Sequence, residues 1–285
     1  MAWARQNEIR VTEIGNRTLQ DWIARLATVN SPLRNPFCRG LILCVGLWSS
    51  AQGMDVVTFR EGETTKRIEG RVLISAADGG VLLEGRDGSM WPVTGEQVIS
   101  REENEMEFTP YTREELKLRL RRELPTGFDF LDTNHYLVAF DTSRVYAQWC
   151  AGLYERLYRA FQNYWRKRGV ELNDPTYPLV AVIFERQADY MAQSEDELGA
   201  AASAVVGFYS LKTNRINTFD LTGTEAVRGH GRPRTATLIN QVLSQPSAEP
   251  NVATIVHEAT HQLAYNNGLQ TRYAANPLWL SEGLA

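Results

Sequence analysis

Seven consecutive residues, Pro178 to Phe184 (PLVAVIF), carry no polar side chain. A run this short has strand length, and a strand without a polar face must be covered on both sides. It therefore predicts a central strand with packing partners on two faces. Suitable cover lies just upstream in SRVYAQWCAGLYERLYRAFQNYWRKRG, residues 143–169. There Trp149, Leu153, Leu157, Phe161 and Trp165 recur every four residues, and Gly169 ends the pattern, which predicts a long amphipathic helix. HYLVAF (135–140) reads as a further strand. VVGFYS (205–210) and NRINTFD (214–220) read as a hairpin turning at Lys212-Thr213. This part of the chain is expected to be an α+β domain.

The segment before it has a different character. Residues 55–100 are rich in short β signals, with Asp78-Gly79-Gly80 and Asp87-Gly88 as turns. They predict a small β module of four or five strands without a titratable cluster. Residues 101–125 are charge-dense and punctuated by Pro110 and Pro125. Thr112 and Glu115 have capping-box spacing, so this stretch reads as a linker with a short exposed helix. The basic run Lys117 to Arg122, interspersed with leucines and acids, reads as a solvated helix face. The expected organisation is a leader at 1–51, a β-rich module at 52–108, a charged linker at 109–125 and a domain at 126–285.

In the leader, Arg34 and Arg39 precede the apolar run Gly40 to Trp48, and Ser49 and Ala51 follow in a small-x-small pattern. This reads as a signal peptide cleaved after Ala51, with export to the periplasm or medium. The run is too short to span a bilayer, so no stable membrane span is expected after cleavage. Cys38 and Cys44 would leave with the leader. Cys150, on an apolar helix face, then reads as a small buried hydrophobe, and no disulfide framework is expected. A net charge of -4 argues against nucleic acid as a partner. Nothing sets an oligomeric state.

The chemistry concentrates in ATIVHEATHQLAYNNGL, residues 253–269. Pro250 suits the first turn of a helix and Asn266-Asn267-Gly268 suits its end. His257 and His261, four apart, would share one helix face and could hold one Zn²⁺. Glu258, beside the first histidine, would reach an activated water rather than the metal, as a general base must. Ile255, Val256, Leu263 and Ala264 form the opposite, packing side. A catalytic zinc takes three protein ligands. The candidate for the third is Glu282, on a second helix capped by Asn276 and opened by Pro277.

With Trp279-Leu280-Ser281-Glu282-Gly283-Leu284-Ala285 on the page, the sequence resembles the gluzincin branch of zinc metallopeptidases, the peptidase MA-like superfamily. HYLVAFDTS, the aromatic helix and GFYSLKTNRINTFD are similar to an uncharacterised group of exported bacterial members. The resemblance covers residues from about 126 and leaves out the β module. It implies a zincin-like domain, with a mixed sheet, the HExxH helix and a glutamate helix. His257, His261 and Glu282 would hold zinc, and Glu258 would act as base and then acid on a peptide or protein substrate. It also implies that an extended substrate adds to an edge strand, with Gly207, Tyr209, Asn214 and Ile216 as contact residues. Family members continue beyond the glutamate helix with a supporting acid and a Tyr or His that stabilises the oxyanion. The domain is therefore expected to be truncated at its C-terminus.

Two further readings remain open: an exported, zinc-stabilised binding protein without hydrolytic activity, and a zinc amidase acting on non-peptide material. His230, Tyr265 and Tyr273 are minor candidates for an oxyanion donor, and His135 reads as structural.

Overall fold

The computed structural model describes residues 53–223 and 235–285. The leader, its cleavage site and the loop holding His230 lie outside the described residues. Among the described residues the chain is a mixed α and β protein with two five-stranded sheets. It divides into two compact units, one of residues 53–83 and 92–108, the other of residues 84–91 and 109–285. No helix among the described residues is long and apolar enough to cross a membrane.

The first sheet has the order β4-β3-β2-β1-β5. Its strands are β1 (Gly53–Glu61), β2 (Thr64–Ser75), β3 (Val81–Gly85), β4 (Met90–Val93) and β5 (Val98–Glu107). β1 runs antiparallel to both β2 and β5. Val57, fully buried, and Phe59 anchor its core. The turn expected at Asp78-Gly79-Gly80 joins β2 to β3. Gly79 takes a left-handed φ of 85° there, which a side chain would strain. The Asp78 carboxylate closes the turn by accepting the Gly80 N–H at 3.0 Å. The second expected turn, residues 84–91, groups with the other unit.

That unit begins with α1 (Arg113–Glu123). The capping box is present: Thr112 accepts from the Glu115 N–H and Glu115 accepts from the Thr112 N–H. The helix is not simply exposed, because Leu116 and Leu120 are buried in the core of this unit. Its solvated face was legible, whereas the leucines spaced four apart are its packing edge.

The second sheet runs β6 (Asp129–Asp132), β7 (Tyr136–Phe140), β8 (Leu179–Phe184), β10 (Arg215–Phe219) and β9 (Gly207–Tyr209). β7, β8 and β10 are parallel, and the outer strands β6 and β9 pair antiparallel. β8 is central, and all six of its residues are buried. Its cover comes from both sides. Tyr154 of α2 (Arg144–Arg166) stacks on Tyr136, which shares a face with Leu179. Tyr190 of α3 (Gln187–Leu198) packs on Phe184, whose side chain points to the opposite face. Helix α4 (Ala236–Leu243) packs on α2.

α2 departs from its expected stripe. Its buried positions are Tyr146, Ala147, Cys150, Ala151, Tyr154, Tyr158 and Phe161, whereas Trp149, Leu153, Leu157 and Trp165 are only partly buried. Tyrosine rings are apolar bodies with one polar tip, so they take the core positions that the Leu/Trp spacing alone would assign one residue earlier. Cys150 is fully buried, as its helix face implied.

Candidate metal centre

The HExxH helix is α5 (Glu249–Asn266), with Pro250 in its first turn. It lies on the same sheet face as α2, and Tyr265 stacks on Tyr209 with ring centroids 5.7 Å apart. Ile255, Ala259, Leu263 and Ala264 are buried. Val256 is only partly buried, and its carbonyl accepts the Thr260 hydroxyl. Asn267 caps the helix, and Gly268 then turns the chain with a φ of 78°. The glutamate helix is α6 (Leu278–Leu284). Pro277, not Asn276, is its N-cap, and no side chain caps it. Asn276 instead donates to the carbonyls of Thr271 and Ala274, closing the loop before the helix.

These two helices bring His257, His261 and Glu282 together. The two Nε2 atoms are 3.0 Å apart. Glu282 Oε2 lies 3.4 Å from His257 Nε2, and Oε1 lies 3.8 Å from His261 Nε2. The ligand atoms all fall within 4.8 Å of one another, so the group could hold a metal ion. Ligands placed about 2.0–2.1 Å from a tetrahedral centre are separated by roughly 3.4 Å, close to these spacings. Two imidazoles and one carboxylate are also a donor set that zinc accepts. Burial, reinforced by the neighbouring charge of His257, pushes His261 down to about 4, so it stays neutral with a lone pair for a metal. The hydrogen bond from His257 holds Glu282 below the usual carboxylate range despite partial burial. No other such cluster of His, Cys, Asp and Glu occurs among the described residues.

Glu258 projects toward the edge of the sheet. Just after β9, the Ser210 N–H donates inward to Arg215 of β10, so the adjacent residue Tyr209 turns its N–H outward. Glu258 Oε2 accepts that N–H at 2.8 Å. The open edge therefore belongs to β9, with Gly207 and Tyr209. β10 is paired on both sides, and Ile216 is fully buried. Asn214 is also buried, at a φ of 62°, and its amide exchanges two hydrogen bonds with Asn266 of α5. It also accepts from the Tyr209 hydroxyl, while its carbonyl accepts from Gln262. Asn214 and Ile216 thus serve the seat of the hairpin against α5.

The remaining minor candidates are accounted for individually. Tyr265 is partly buried in its stack on Tyr209. Tyr273 sits in the connecting loop at a φ of 62°. His135 bonds Glu155 at 2.9 Å and stacks on Tyr158, a structural arrangement. The Tyr209–Glu258 bond, Gln262 and the Ser281 contacts carry no motif. A buried glutamine one position after the second histidine is the only hint of them in the sequence.

Residues 251–285, from the first turn of α5 through α6, match a family described as "Protein of unknown function (DUF1570)". No curated protein and no solved structure matches the chain.

Proposed function

We propose that this chain is a zinc-dependent hydrolase of peptide bonds, of the gluzincin type. The observation that carries the reading is the meeting of His257, His261 and Glu282 beside a glutamate that adjoins the first histidine and contacts an edge strand. Zinc held by these three side chains would supply a Lewis acid and ease the ionisation of water at neutral pH.

The chain's own residues then divide the work. Glu258 takes a proton from the attacking water and later delivers it to the leaving amine. Its Oε2 is held by the Tyr209 N–H, so the carboxylate is oriented before substrate arrives. The outward peptide groups of Gly207 and the outward carbonyl of Tyr209 on β9 suit an extended peptide added as a further strand. Partly buried, neutral His261 suits the ligand role at neutral pH.

The test is zinc per chain and hydrolysis of a quenched peptide library, with His257→Ala and Glu282→Ala beside the wild type. About one zinc, lost in both variants, with library cleavage by the wild type, is the expected result. Zinc with no cleavage of any peptide would transfer the reading to a zinc-stabilised binding protein. Cleavage that survives complete zinc removal would eliminate the mechanism.

A further inference from the structure

The third ligand rides on a weak element. α6 has seven residues and no side-chain cap, and a helix this short has little stability of its own. Leu278 and Trp279 on it are 58% and 76% exposed, and Leu280 and Leu284 are only partly buried, so apolar burial seats it weakly. Its one buried residue is Ser281, immediately before Glu282.

Ser281 sits in a chain of hydrogen bonds that joins both helices to the loop between them. Gln270 Nε2 donates to Ser281 Oγ at 3.0 Å, and both side chains are buried. Gln270 is itself fixed by its N–H to the Ala264 carbonyl at 2.9 Å, just past the end of α5. A hydroxyl can accept from the amide, which alanine cannot.

We propose that Ser281 is a positioning residue for the metal site. Bonded to Gln270, it holds the glutamate helix so that Glu282 stays against His257 and His261, and metal affinity depends on it. This rests on the reading that these three residues bind zinc. Ser281 is no ligand; it acts through the backbone it anchors, as outer partners of metal ligands do.

The experiment measures zinc affinity of the full chain by competition with a chromogenic chelator, and the visible bands of the Co²⁺-loaded protein. Ser281→Ala and Gln270→Met are compared with wild type. Gly283→Ala is the control, because a methyl there meets nothing within 4 Å. Both test variants should bind zinc roughly 10- to 100-fold more weakly and show altered Co²⁺ bands, with the control at wild-type affinity. A purely structural role would lower the melting temperature of the metal-free protein and leave affinity and bands unchanged. That result overturns the inference while the metal site stands. Failure of the wild type to bind zinc overturns both.

Discussion

Glu258 and Tyr209 meet through a 2.8 Å hydrogen bond from the backbone N–H of β9 to a carboxylate oxygen of α5. One bond thus ties the proposed base to the strand proposed to receive substrate. Glu258→Gln keeps an oxygen that can accept the same N–H, so fold and metal content should survive. The amide cannot take a proton, so turnover should fall by about 10²- to 10⁴-fold. Peptide hydrolysis and zinc analysis on the same preparation check this; wild-type turnover in the variant would remove Glu258 from the mechanism.

Gln262 lies next to the second histidine but faces inward, fully buried. Its Nε2 donates to the carbonyls of Val180 and Asn214, each at 3.0 Å, tying α5 to β8 and to the hairpin turn. Gln262→Leu removes two buried hydrogen bonds between the helix and the sheet. A loss of roughly 0.5–1.5 kcal/mol per bond is expected in urea unfolding. An unchanged midpoint would show that the helix is seated by its apolar residues alone.

Asp87, in the turn of residues 84–91, is buried between Arg119 at 2.9 Å and Arg215 at 3.8 Å. Burial works against its charge, but the two guanidiniums and the bonds from Ser89 outweigh it, leaving its pKa below the ordinary 3.8. A lowered folded-state pKa means that the unfolded chain takes up the proton first on acidification. Its contribution is therefore complete above the ordinary value and fades as pH falls below it toward the folded-state value. Asp87→Asn should be less stable at neutral pH, and the gap to wild type should narrow in that acid window. Parallel stability–pH curves would refute this assignment. Glu123, which also pairs with both arginines, should keep the neutral-pH loss below that of a fully orphaned ion pair.

Cys150 is fully buried in α2, and burial pushes its thiol well above the usual range. The native protein should leave Cys150 unlabelled by iodoacetamide at neutral pH and expose it on unfolding, as peptide mass mapping would show. Labelling in the native state would mean that α2 opens locally.

Much of the architecture was legible because it depends on near neighbours. The apolar run 178–184 had to be doubly covered, and β8 is. Pro250, the histidine pair and Asn-Asn-Gly define α5 within a single segment. The α2 stripe was displaced because buried tyrosines pack as apolar residues, and Asn276 closes a loop instead of capping a helix.

By itself the sequence determined the periodic elements and the two-histidine edge of α5, since helical spacing alone puts His257 and His261 side by side. The tertiary structure decided the rest of the site: the approach of Glu282, the Tyr209 N–H on Glu258, and the inward turn of Gln262 and Asn214. Each depends on which strand ends up at the sheet edge and how a short helix docks. Local spacing carries no information about such contacts, because they form only when separate elements pack together.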